Sequence, residues 1–305
     1  MAKQRHVEPH NKPSLEEMQN ALKRSGYLLE SRLESIMNSR GFFVEANSVY
    51  PDPHTGKSRE LDLLGVTLVA IDKPSTDRLW VSLVIECMNN AQPVVFITKK
   101  SENPFSYMDS IKLVGVPPTI EVAGSTQMLY DMLKLEAFHH YCGSRIATQY
   151  CSFTSLTRQG KADWIAIHDE NHHDALSKLC AATEYNVINH YKTWDHINAR
   201  IFYPIVVLQG ELFETHAEDS SGTLFQSQHV QYQKYEIVGK EIKIYRIDVV
   251  TETFFPNFLT MLREEVTRIA LRAHENLDSI RDAVAKSKPS LAGPPPLKPF
   301  SLLGL

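Results

Sequence analysis

The chain has 305 residues, 43% apolar and 22% charged, with a formal net charge of -4. This is the composition of an ordinary globular protein with a sizeable core, arranged as one large domain or two modest ones. The balance of charge neither points to a nucleic-acid partner nor excludes one, because binding needs a local basic patch and not a basic total. Its four cysteines, Cys87, Cys142, Cys151 and Cys180, are widely spaced, which argues against a zinc knuckle or a disulfide framework. With no run approaching the ~20 apolar residues of a bilayer span and a polar start from Met1 to Lys12, the expected location is the cytoplasm.

Residues 1–13 read as a disordered polar arm. Ser14 followed by Glu17 makes a capping box that opens a helix over 15–24. A second helix, 26–39, carries Leu29, Leu33, Ile36 and Met37 on one stripe and ends at Gly41. Strands follow at 42–50, 58–69, 79–87 and 94–98, separated by turns rich in Pro, Gly and Asp. Prolines break up 99–124. The pattern then predicts a long helix over 125–142, strands at 145–153 and 162–168, and a helix over 172–194. The continuous apolar run Ile201–Leu208 reads as a buried strand. Strands at 235–238 and 241–250 precede a helix over 256–285. From Ser287 onward, Pro294-Pro295-Pro296 marks a flexible tail, 287–305. Residues 14–286 thus form a single α/β domain whose mixed sheet is flanked by helices, with a helical elaboration at about 100–200.

Two short acidic motifs stand out, Arg59-Glu60-Leu61-Asp62-Leu63-Leu64 and Val84-Ile85-Glu86-Cys87-Met88. A lone ionised carboxylate in an apolar strand is costly or becomes neutral. Two such groups on neighbouring strands point to a cation between them. With the intervening turn centred between Pro74 and Ser75, a hairpin sets Asp62 opposite Cys87 and diagonal to Glu86, roughly 7 Å apart. A one-residue slip would change the facing. Glu30 and Glu34 border the apolar stripe of their helix. The plain reading of Glu34 is a solvated charge, and Glu60 stands between strand-edge charge and auxiliary ligand.

Gly26-Tyr27-Leu28-Leu29-Glu30, Gly41-Phe42, Thr55-Gly56-Lys57-Ser58-Arg59-Glu60-Leu61-Asp62 and Ile85-Glu86-Cys87-Met88-Asn89-Asn90, in that order, resemble the restriction-endonuclease-like PD-(D/E)XK nuclease superfamily over about residues 25–98. The resemblance implies a restriction-endonuclease-like fold and hydrolysis of nucleic-acid phosphodiester bonds, DNA foremost, with Mg²⁺ or Mn²⁺. It assigns Asp62, Glu86 and Glu30 as metal ligands and catalytic acids. The family has a lysine two residues after the second acid, where this chain has Met88. A thioether neither orients water nor stabilises negative charge. Three alternatives follow. Another cation reaches in, with Lys99 the first candidate and Lys100 or Lys57 behind it; the metal acts alone; or the chain is a catalytically inactive nuclease-like module that binds nucleic acid or protein.

Other signals carry less. Thr55-Gly56-Lys57-Ser58 lacks the glycine and the following helix of a phosphate loop. The run His168-Asp169-Glu170-Asn171-His172-His173-Asp174 reads as a solvated loop before a helix, and His139-His140 as a helix C-terminus complementing the dipole. No GxSxG elbow supports a hydrolase triad. Arg263, Arg268 and Arg272 share the last helix with Glu264, Glu265 and Glu275, a mixed solvated face. Arg246-Ile247-Asp248-Val249 faintly echoes Glu60-Leu61-Asp62-Leu63, too briefly for a duplication.

Overall fold

The computed structural model describes residues 12–288 apart from 26, 53–55, 74, 91, 102–107, 144 and 159–160. The arm before residue 12 and most of the tail, both expected to be flexible, lie outside the described residues. Helices α1 (Leu15–Arg24) and α2 (Tyr27–Ser39) precede an antiparallel meander of β1 (Phe43–Pro51), β2 (Ser58–Ala70) and β3 (Arg78–Met88). Then come β4 (Val94–Lys100), β5 (Lys112–Val114), β6 (Thr119–Val122), β7 (Ser125–Met128) and the one-turn α3 (Leu129–Met132). The hairpin of β8 (Arg145–Arg158) and β9 (Lys161–Ile167) leads through α4 (Glu170–Ile188) to β10 (Asn198–Leu208), β11 (Leu212–His216) and β12 (Phe225–Ser227). The hairpin of β13 (His229–Val238) and β14 (Glu241–Thr251) and the helices α5 (Phe255–Glu275) and α6 (Leu277–Lys286) complete the described chain.

Twelve strands form one mixed sheet in the order β1-β2-β3-β10-β14-β13-β8-β4-β11-β12, with β5 added to β10 and β9 to β8; β6 and β7 pair separately. The fold is therefore α/β, with a large mixed sheet flanked by helices. Strand β10 runs parallel to both β3 and β14 and is covered on both faces. This is why residues 201–208 are apolar without alternation. On one face, α2 and α5 bring Leu29, Leu33, Met37, Phe258 and Leu262 onto Leu63, Ile85, Ile205 and Val207. On the other, α4 lays Leu176, Leu179 and Cys180 over Val84, Phe202 and Val206.

Helix α1 starts on the expected capping box, with Ser14 Oγ accepting from Glu17 N–H and Glu17 reaching back. The long helix expected over 125–142 does not form. Gly124 at φ +81 turns the chain between β6 and β7, and Lys134 in the left-handed region stops α3 from continuing. Leu129, Leu133, Leu135 and Tyr141 bury from short turns instead, so the segment at 100–200 mixes the strands β5 to β9 with α4, its one long helix among the described residues. The last predicted helix is two, divided at Asn276 (φ -117, ψ 24).

Candidate functional site

The β2–β3 ladder pairs Leu64 with Val84 and Leu63 with Ile85. The pairing ends at Leu63–Ile85; continued by one step it would set Asp62 opposite Glu86, a one-residue slip from the expected partner Cys87. The slip favours the site, because directly opposed residues share a face. On the other side of Asp62, the β1–β2 pairing runs through Ala46–Leu63 and Ser48–Leu61 and omits Asn47, which sits at φ +54. Asn tolerates that conformation better than most residues. The meander is thus locally irregular where its acid lies.

Asp62 Oδ2 accepts the Cys87 N–H at 2.7 Å. Its Oδ1 lies 3.1 Å from Lys178 Nζ, and the same ammonium lies 2.8 Å from Glu86 Oε2. Lys178 comes from α4, where it borders the arc formed by Leu176, Leu179, Cys180 and Thr183. Its main-chain carbonyl is fixed by the Tyr50 hydroxyl at 2.8 Å. Glu30, on α2, is half-buried and electrostatically coupled to both Asp62 and Lys178. Burial, and then the Asp62 charge, raises the Glu30 carboxyl above its usual range.

The same two causes push Glu86 up to about 8, against the pull of Lys178. Burial opposes the Lys178 ammonium, but Glu86 and then Asp62 outweigh it and leave its pKa raised. A raised Glu86 and a 2.8 Å ion pair sit uneasily together. Charge counting reconciles them: one ammonium balances one carboxylate, and the second negative charge is left in a buried place. Glu86 Oε1 is buried with no hydrogen-bond partner. Such an oxygen carries a desolvation cost of ~1–3 kcal/mol, which a bound cation would remove.

The remaining expected residues lie apart from this centre. Lys99 and Lys100 are exposed at the end of β4, which pairs with β8 and β11 and not with β3. Lys57 is exposed at the approach to β2, and Glu60 is exposed opposite Val49. Glu34 is half-buried. Met88 packs beside Val94, Phe96, Leu176 and Leu208, an apolar role that a lysine could not fill. Lys178 gave no sequence motif. Its position at the edge of a buried helical arc is the same signal that singled out Glu30.

A second polar cluster occupies the opposite face of the sheet. His139 and His140 end no helix; they lie at a single 3-10 turn over 140–142. Glu265 is buried on α5, not solvated. His140 Nδ1 meets Glu265 Oε2 at 2.8 Å and its Nε2 meets Asp248 Oδ2 at 3.1 Å. His229 Nε2 holds Asp248 Oδ1 at 2.8 Å, and Tyr203 donates to Glu265 Oε1 at 2.7 Å. Burial lowers His140, but Asp248 and Glu265 outweigh it and raise its pKa to about 10. Burial brings His139 down to about 4. Among the described residues, His139, His140 and Glu265 are the group of three whose ligand atoms all lie within 4.8 Å of one another. Glu30, Asp62 and Glu86 are not held that tightly.

No protein family, no curated protein and no solved structure matches the chain. No helix among the described residues is long and apolar enough to cross a membrane.

Proposed function

We propose that the chain is a divalent-metal-dependent phosphodiester hydrolase of restriction-endonuclease-like organisation, acting on nucleic acid. The observation that carries this reading is Lys178, whose ammonium lies 3.1 Å from Asp62 and 2.8 Å from Glu86. Met88 gave ground for a silent binding module. An ammonium arriving from α4 supports the active reading, since the chemistry needs the charge at the acids and not at a particular position in the chain.

The donor set suits a hard cation. Carboxylate oxygens are what Mg²⁺ and Mn²⁺ prefer, and the unpartnered Glu86 Oε1 is an oxygen in need of a cation. Asp62 and Glu86 would hold the ion, with Glu30 assisting directly or through water. When bound, it would polarise the phosphate and make water a stronger nucleophile. Asp62 is fixed by the Cys87 N–H, so its free lone pairs are already aimed. Lys178 is held by two carboxylates and by its anchored backbone, ready to orient water or to neutralise charge on a phosphate oxygen.

Cleavage of plasmid DNA and of RNA with Mg²⁺ or Mn²⁺ tests the proposal. Asp62→Asn, Glu86→Gln and Lys178→Met should each lower the rate by at least about 10²-fold. Equal rates in wild type and all three variants, or no cleavage by the wild type under any metal, would end it.

A further inference from the structure

The His139–His140–Glu265 cluster is unconnected with the acids of β2 and β3. Asp248 shares the face of Ile205, its neighbour on β10, and that residue belongs to the core under α2 and α5. Glu86 stands beside Val206, in the core under α4. The side chains of His139, His140 and Glu265 are 0%, 9% and 4% exposed. Burying this much polarity calls for a strong compensating interaction.

Two observations point to a ligand. First, His139 Nε2 is fully buried without a hydrogen-bond partner, 3.5 Å from Glu265 Oε1 and aimed into the cluster. Second, the groups behind the cluster are arranged as an outer shell. His140 turns its far nitrogen to Asp248, whose other oxygen is held by His229, while Tyr141 also donates to Asp248 and Tyr203 to Glu265. A histidine that ligates a metal almost always gives its other ring N–H to a carboxylate, a backbone carbonyl or water, and Asp248 serves His140 in this way. Two imidazoles and one carboxylate form a borderline donor set that favours zinc-like ions over Mg²⁺.

We propose that His139 Nε2, His140 Nδ1 and a Glu265 oxygen form a binding site for one transition-metal dication of the zinc, cobalt or ferrous class. Binding removes the proton on His140 Nδ1 and keeps the one on Nε2 that bonds Asp248. It also requires the His139 proton on Nδ1, which now accepts from Tyr141 N–H at 3.1 Å, so that contact opens. Tetrahedral bonds of ~2.1 Å set ligand atoms ~3.4 Å apart, so the 2.8 Å contact between His140 Nδ1 and Glu265 Oε2 would lengthen as the ion enters between them. The ion would tie the turn at 140–142 to α5 and to the central strands, and with three protein ligands its fourth position is left for water.

The test uses the full chain, stripped with a chelator and titrated with Co²⁺ and with Zn²⁺. An Asp62→Asn/Glu86→Gln double variant removes the contribution of the first centre. One equivalent of Co²⁺ with a visible ligand-field band, displaced by Zn²⁺ and retained in the double variant, is the expected result. Glu265→Gln in that background should weaken binding by at least 10²-fold. A double variant that binds no Co²⁺ and shows no band overturns the proposal, leaving His140 an imidazolium clamped between two carboxylates. This comparison stands even if Glu265→Gln fails to fold.

Discussion

At Lys178 one ammonium faces two carboxylates, and the imbalance has measurable consequences. Glu86, pushed by burial and by Asp62 to about 8, keeps its proton well above the usual carboxylate range. A metal must displace that proton. Mg²⁺ affinity should therefore rise as pH goes from 6 towards 8 and level off above, with protons released on binding. Isothermal titration in buffers of different ionisation enthalpy measures both, and a flat affinity with no proton release would contradict the assignment. Met88 predicts the converse of a repair. It packs among Val94, Phe96, Leu176 and Leu208, so Met88→Lys should lower stability by about 1–3 kcal/mol, readable as a lower denaturant midpoint. The two acids were legible in the sequence because an acid in an apolar strand is anomalous. Lys178 was not, because a lysine on a helix is ordinary and only the packing of α4 shows where it points.

Elements explain where the reading of the chain held and where it broke. The meander, α2, β10 and α4 announce themselves by period and punctuation. The segment 125–142 has helical apolar spacing, yet Gly124 and the left-handed Lys134 divide it, and its apolar residues bury from turns that leave no periodic trace. The sequence pattern sets His139–His140 at a helix end, and the structure puts the pair at a 3-10 turn instead. Close packing around the start of β10 adds a testable point. Gly115, at φ +85, is so near that an added Cβ would lie 2.2 Å from Asn198 O and 2.8 Å from His190 Nε2. Gly115→Ala should cost more than about 2 kcal/mol, seen as a lower midpoint of denaturant unfolding. His190 Nε2 meets Asn198 O at 2.9 Å, and burial holds this histidine down at about 4. Its folded pKa lies below the ordinary 6.5, so its share of stability is complete above pH 6.5 and is lost as pH falls towards 4. His190→Gln should flatten that part of the stability profile, and an unchanged slope would refute the assignment.

Across the whole molecule, β10 is the keel. It pairs with β3, β14 and β5, and residues 201–208 are buried throughout. Amides of Ile201–Tyr203 and Ile205–Val207, on either side of Pro204, should exchange most slowly. Those of α1, whose Leu15, Met18 and Leu22 are exposed, should exchange among the fastest of the helices; comparable protection in the two would count against this hierarchy. The sheet also divides the chemistry, with Asp62, Glu86 and Lys178 on one face and the His140–Glu265 cluster on the other. The claim on which the functional reading turns is that Asp62 and Glu86 share a dication. Crystals soaked in Mn²⁺ and measured at the manganese absorption edge test it most directly. The account predicts an anomalous peak bonded to both carboxylates, with the Lys178 ammonium displaced from between them. Lys178 still seated between Asp62 and Glu86, with no peak at either, would contradict it.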